Sequence, residues 1–225
     1  MPIEFGYLSF TTEETFIRQE NQLPNFTAKL NKGEPVLVLS YGNSIAAGAE
    51  ASSPQFRFQN RWVEYLKTLF PKATIQLQDG SLPGYTTVEG IAKWETFIGK
   101  KNPDLVLLGW GMSEANIGGI TPKEYQNNLV KLVQLTKEQK NAEVIIYSCF
   151  RPNDNWHYAG HSMNLYTDAA KEAAAISGCA FVDVYAIFEK VFARKDQPSL
   201  LSNNINHPNN FGHWLYFQTF KWLNR

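Results

Sequence analysis

With 225 residues, the chain has room for one α/β domain, or one domain with a short extension. Its 21 basic and 21 acidic side chains cancel, which argues against nucleic acid or an anionic membrane as the main partner, since both call for a basic face. Hydrophobic residues make up 44% and charged residues 19%, ordinary for a soluble globular protein, and no segment approaches the apolar length that spans a bilayer.

The first thirty residues carry Glu4, Glu13, Glu14, Arg18 and Glu20 with no apolar run, so no signal peptide is expected here. That leaves a cytoplasmic location or a leader already removed. Residues 1–33 are expected to form an N-terminal extension packed on the domain, with Leu23-Pro24-Asn25-Phe26 as the capped entry to a short helix. From residue 34 onward continuous apolar runs alternate with helical patterns, which indicates a parallel sheet with crossover helices. In chain order the expected elements are a strand at 35–41, a helix at 58–69, a strand at 74–78 and a helix at 87–98. A strand at 105–108, a helix at 122–139, a strand at 143–148 and a helix at 162–176 follow. A last strand at 180–184 and a closing helix at 211–222 complete a single domain over 34–225. Thr121-Pro122 is a hydroxyl cap followed by proline in the first turn, and Gly178 fits just past a helix end. The fold class is α/β, a three-layer α/β/α sandwich on five parallel strands.

Two long connections stand out. Residues 46–56 are small, polar and proline-broken, and residues 150–161 carry Arg151, Trp156, Tyr158 and two histidines. Loops of this size on an α/β sheet usually shape a ligand site. Cys149 and Cys179 fall at opposite edges of the expected sheet, beyond disulfide reach, and read as small buried residues. No Cys/His cluster supports a metal.

Four polar features carry the chemistry. Ser44 follows a strand and a glycine, which suits a nucleophile on a tight turn or a helix N-cap. His207, before Pro208-Asn209 near the chain end, can be a turn residue or a general base for that hydroxyl. Gly84, in Leu82-Pro83-Gly84-Tyr85-Thr86-Thr87, is a turn glycine or a point where a backbone amide approaches a developing oxyanion. The third strand runs into Gly109-Trp110-Gly111-Met112-Ser113-Glu114-Ala115-Asn116, where a polar side chain at the sheet edge can be a further donor. The aromatics, 14% with six Trp, fill a core or line a sugar or acyl site.

In that order these segments resemble the blocks of the SGNH hydrolase family, also called GDSL esterases. Gly42-Asn43-Ser44 looks like the usual Gly-Asp-Ser, and Leu82 to Thr87 like the second block. Gly111-Met112-Ser113-Glu114 is similar to Gly-Met-Asn-Asp, and Asn204 to His207 to Asp-x-x-His. The likeness runs over roughly residues 24–220. It implies a flavodoxin-like sheet, Ser44 as nucleophile, His207 as base, and an oxyanion hole of Ser44, Gly84 and Ser113. Ser113 stands where the family has an asparagine; its hydroxyl is shorter, so Asn116 is a further candidate donor. Asn203 or Asn204 stands where an aspartate would orient the histidine, and an amide cannot stabilise the imidazolium by charge.

The resulting expectation is a serine esterase that cleaves short acyl, chiefly acetyl, esters of a carbohydrate or small molecule. Asn43, Tyr85, Trp110, Met112, Trp156 and Tyr158 are expected to line its substrate site, and no cofactor or metal is implied. The alternative is a binding protein that kept the fold and lost the catalytic carboxylate. A nucleotide or flavin binder is disfavoured, because Tyr41-Gly42-Asn43-Ser44 carries one glycine and neither a dinucleotide fingerprint nor a P-loop. Oligomeric state is not legible.

Overall fold

The computed structural model describes residues 23–117 and 119–221. Residues 1–22 of the expected extension and Trp222, the expected end of the last helix, lie outside these. Five strands form one sheet in the order β2-β1-β3-β4-β5, with β1 Val36–Gly42, β2 Ile75–Asp79, β3 Leu105–Gly109, β4 Glu143–Tyr147 and β5 Ala180–Val182. Every neighbouring pair is parallel. This is the flavodoxin-like strand order, in which ligands bind beyond the carboxyl ends of the strands.

The burial patterns explain the order. Every residue of β3 is buried, as a central strand covered on both faces requires. In β2 only Ile75 is fully buried, and Gln76, Gln78 and Asp79 face solvent, which suits the sheet edge. Side chains of the inner strands divide between the faces with period two. Val38, Leu105, Leu107, Ile145 and Tyr147 join one core with α1 Pro24–Lys32, α2 Phe58–Leu69, α7 Val184–Phe192 and α8 Asn210–Lys221. Leu39, Val106, Leu108, Val144 and Ile146 join the other with α3 Thr87–Trp94, α5 Pro122–Lys140 and α6 Met163–Ser177.

Several local expectations meet their physical cause here. Thr121 caps α5 by accepting the Glu124 amide at 3.2 Å, and Gly178 ends α6 in the left-handed region. The helix expected over 87–98 stops at Trp94 and continues as a π turn over Glu95–Gly99. The entry to α1 is capped differently from the expectation. Leu23 offers no side-chain acceptor, and the carboxylate of Glu143 at the start of β4 accepts the amides of Asn25 at 3.0 Å and Phe26 at 2.7 Å. Two helices were not legible in the sequence: α7, whose apolar Val184-Tyr185-Ala186-Ile187 runs on from β5, and the short α4, Met112–Asn116. Cys149 and Cys179 are both free and buried, and burial pushes each thiol up to about 12, which leaves them unreactive.

Glu114, in α4, is 1% exposed. One carboxylate oxygen accepts the Thr87 amide at 2.7 Å and the other accepts the Gly111 amide at 2.8 Å. It thereby ties the start of α3 to the turn after β3. Burial pushes its pKa up, while those two amides pull it down. A buried N–H left without an acceptor costs about 1–3 kcal/mol. Glu114→Gln, although nearly isosteric, turns an NH2 toward one of the two donors and is expected to lower stability by about 2 kcal/mol. Glu114→Ala should cost at least as much. Urea unfolding with an unchanged m-value is the measurement; a Gln variant as stable as the native chain would refute the two-acceptor role.

Candidate active site

The site begins where two strands end on glycine. Gly42 pairs with Gly109 in the β1–β3 register. A Cβ on Gly42 would lie 2.0 Å from the Gly109 carbonyl oxygen, and one on Gly109 would lie 1.8 Å from the Tyr147 hydroxyl. The backbones touch because neither residue has a side chain. Asn43 extends the ladder by donating its amide to the Gly109 carbonyl at 3.1 Å, and its Oδ1 accepts the Ile45 amide at 3.0 Å, an Asx turn. Ser44 sits half-buried at the apex of that turn.

The turn is held from three sides. The Ser40 hydroxyl donates to the Ala46 carbonyl at 2.9 Å, and the Gln59 amide donates to the same oxygen. From α8, His213 reaches the Ala49 carbonyl at 3.1 Å through Nε2. A carbonyl can only accept, so this ring carries its proton on Nε2. Burial lowers the His213 pKa to about 4, which makes it a neutral structural histidine.

His207 faces Ser44, with Nε2 2.7 Å from the Ser44 Oγ. The loop carrying it is closed by an antiparallel bridge between Leu201 and Pro208 and by the Ser202 amide on the His207 carbonyl at 3.0 Å. Behind the ring, Nδ1 lies 3.0 Å from Asn203 Nδ2. Asn203 Oδ1 accepts the amides of Ile205 and Asn206 at 3.0 Å and of His207 at 3.1 Å. Motif counting points to Asn204, but Asn204 adopts a left-handed φ of 56° and offers its carbonyl to the Asn153 side chain at 2.8 Å. The tight turn at Asn204 brings the residue four positions before His207 against the ring. Burial lowers the His207 pKa, and Glu50 opposes that shift.

Gly84 reaches the same sheet edge through a four-residue turn. Leu82 donates to the Gly42 carbonyl at 2.7 Å, and Tyr85 closes the turn on the Leu82 carbonyl at 3.2 Å. With Pro83 second and Gly84 third at φ 82°, the turn is type II. An added Cβ at Gly84 would meet nothing within 4 Å, so conformation and not space selects glycine. Among the described residues no protein acceptor takes the Ser44 or Gly84 amide. Ser113 is half-buried on α4, without a side-chain partner among the described residues.

Other expected site residues fall elsewhere. Asn116 is not free to serve as an oxyanion donor: its Nδ2 donates to the Met112 carbonyl at 2.7 Å, and its Oδ1 accepts the Gly160 amide at 2.9 Å. Trp110 is 1% exposed and packs edge-on against Tyr41 with centroids 5.6 Å apart, so it belongs to the core and not to a substrate. Met112 and Asn43 are likewise buried, Met112 in the core and Asn43 within the Asx turn. Tyr85, Trp156 and Tyr158 remain at the surface.

Asn153, absent from the sequence reading, organises the loop over 150–161. Its amide donates to the Ile205 carbonyl at 2.8 Å, which complements its side-chain bond to Asn204. At the far end Gly160 is held by Asn116. Between these anchors Trp156 and the 56% exposed Tyr158 stand at 5.9 Å and nearly perpendicular. Loop asparagines bonding a second loop leave no local signal in sequence.

Comparison with known proteins gives the fold and the family. The sequence model of the GDSL-like Lipase/Acylhydrolase family matches residues 40–215. An arylesterase of Vibrio mimicus is 27% identical over 151 residues, covering 64% of this chain and 70% of that protein. A two-domain esterase active on acetylated mannans, solved with mannopentaose, superposes with a TM-score of 0.75 at 20% identity, covering 90% of this chain. The present chain spans 53% of that esterase. An acetylxylan esterase from Geobacillus stearothermophilus gives a TM-score of 0.71 at 21% identity, covering 84% of this chain and 94% of its own. These structural likenesses establish the shared fold. The family match, spanning most of the chain and both ends of the site, shows that this protein belongs to the GDSL-like lipase/acylhydrolases, a family of carboxylic ester hydrolases.

Proposed function

We propose that this chain is a serine esterase that removes short acyl groups, acetyl above all, from a carbohydrate. The observation that carries the reading is the 2.7 Å contact between Ser44 Oγ and His207 Nε2, beside two backbone amides with no protein acceptor among the described residues. Ser44 Oγ attacks the acyl carbonyl and passes its proton to Nε2 of the His207 tautomer whose Nε2 is bare. The oxygen that becomes negative is received by the amides of Ser44 and Gly84 and by the Ser113 hydroxyl. Preorganised donors of this kind contribute about 2.7–4 kcal/mol each to the transition state. His207 then returns the proton to the departing sugar hydroxyl, and water repeats the sequence on the acyl-enzyme to release the acid.

The carbohydrate half rests on the loop over 150–161. Half-buried Trp156 and exposed Tyr158 stand on the loop that Asn153 ties to the His207 loop, and aromatic rings suit the apolar C–H faces of pyranose rings. Exposed Tyr85, Val88 and Ile117 add apolar surface at the same sheet edge. That two proteins of this fold act on acetylated mannan and acetylxylan supports the same substrate class here.

Ser44→Ala and His207→Ala are each expected to lower acetate release from acetylated xylo- or manno-oligosaccharides at least about 10³-fold, with thermal stability retained. Variants as active as the native chain would sink the esterase reading and leave the binding alternative. Trp156→Ala should raise KM for the oligosaccharide several-fold while leaving p-nitrophenyl acetate hydrolysis near the native rate; equal effects on both substrates would remove Trp156 from sugar contact. The pH profile follows from His207. Only the neutral ring can take the serine proton, and burial depresses its pKa. Activity should therefore rise with pH through an inflection below the ordinary histidine value of about 6.5 and stay level above it. An inflection above 7 in kcat/KM would contradict a desolvated His207.

A further inference from the structure

We infer that Asn203 holds His207 in the tautomer that cannot deprotonate Ser44, which makes Asn203 a positioning residue that throttles the site. The inference rests on the esterase reading for its kinetic consequence, but not for the proton assignment itself.

A carboxamide has one accepting end and one donating end. At Asn203 the accepting end is fixed by the chain, because Oδ1 receives three backbone amides, those of Ile205, Asn206 and His207. Turning the amide over would aim its NH2 at three N–H donors. Nδ2 is therefore the atom against the ring. One of its hydrogens goes to Asn206 Oδ1 at 3.0 Å, and the other points at His207 Nδ1 at 3.0 Å. Nδ1 must then be the accepting nitrogen, and the single proton of the neutral ring sits on Nε2. The 2.7 Å contact with Ser44 runs from Nε2–H to Oγ, with the hydroxyl accepting. Acyl transfer needs the opposite polarity.

Reaching it requires the proton on Nδ1, where an N–H would face the Asn203 N–H with no acceptor between them. The imidazolium formed during attack meets the same obstacle, since it carries protons on both nitrogens. The other ionisable groups acting at this ring do not substitute for the missing acceptor. Glu50, from the loop after β1, raises the His207 pKa, and His213 on α8 stays neutral. Aspartate at 203 would keep the three backbone bonds on Oδ1 and accept Nδ1–H on Oδ2. That single atom change reverses the tautomer and keeps the backbone turn, the Asn206 amide turning over so that it donates to Oδ2 where it had accepted from Nδ2. In serine proteases the exchange of a triad carboxylate for an amide lowers kcat about 10⁴-fold through the wrong tautomer.

Long-range ¹H–¹⁵N spectra of histidine-labelled protein at pH 8, with His207→Gln to assign the signal, read which ring nitrogen carries the proton. The native chain is expected to show His207 protonated on Nε2 and Asn203→Asp on Nδ1. In parallel, Asn203→Asp should raise kcat on p-nitrophenyl acetate about 10²- to 10⁴-fold, with KM little changed and the pH inflection moved upward. A native ring protonated on Nδ1 overturns the inference outright, and that spectrum decides the matter even if the aspartate variant does not fold. An Asn203→Asp ring that switches to Nδ1–H without any gain in kcat overturns the throttle. If neither protein cleaves any ester while the ring switches, the esterase reading falls and the tautomer assignment stands.

Discussion

Gly42 and Gly109 lie opposite each other at the ends of β1 and β3 with no side chain between them, and the whole carboxyl edge is arranged around that contact. Because the two backbones meet, the Asn43 amide can reach the Gly109 carbonyl and the Leu82 amide can reach the Gly42 carbonyl. The first bond starts the turn that carries Ser44, and the second hangs the Gly84 turn beside it. A methyl at either glycine would collide with backbone or with the Tyr147 ring at under 2.1 Å, a separation that packing cannot absorb. Ser44 and the Gly84 turn thus owe their shared place to a sheet constraint, and not to any direct bond between them.

Carboxylates, one buried and two half-buried, hold what the sheet does not. Glu143 accepts two amides of α1, Asp104 accepts the Leu37 amide at 2.7 Å as β1 begins, and Glu114 joins the starts of α3 and α4. Glu143 and Asp104 bond backbone from another element, and Glu114 bonds both the start of α3 and the N-cap of its own helix, so helix ends and strand starts are satisfied across the fold. Glu114 matters most for the candidate site, because both segments it joins border the carboxyl edge of the sheet. The elements bearing Gly84 and Ser113 are therefore referenced to one rigid point.

This division also explains what the sequence could reveal. The strands were legible because a buried parallel strand is a continuous apolar run, and α5 and α6 because Thr121, Pro122 and Gly178 act through their own helix ends. Ser44, Gly84 and His207 were legible because each sits in a short motif with a backbone requirement. Trp110 was misjudged: an aromatic after a strand reads alike whether it turns into the core or out toward a ligand. Asn116, Asn153 and Glu143 act through bonds to residues 44 to 118 positions away, and nothing local records those. The choice between Asn203 and Asn204 depended on a left-handed φ, which an asparagine tolerates without announcing it.

The loop holding His207 also shows how an amide can occupy a position suited to a carboxylate. Three of the five contacts made by the Asn203 side-chain head ask only for an acceptor at Oδ1, and asparagine and aspartate supply that equally. The backbone turn over residues 203–207 is therefore nearly indifferent to which of the two is present. The other two, at Asn206 Oδ1 and His207 Nδ1, distinguish them, because there asparagine donates and aspartate accepts; the Asn206 amide can turn over to donate, whereas the ring has to change its tautomer. Stability and chemistry are separated at a single atom, so the loop can keep its geometry while the proton on the neighbouring ring changes sides.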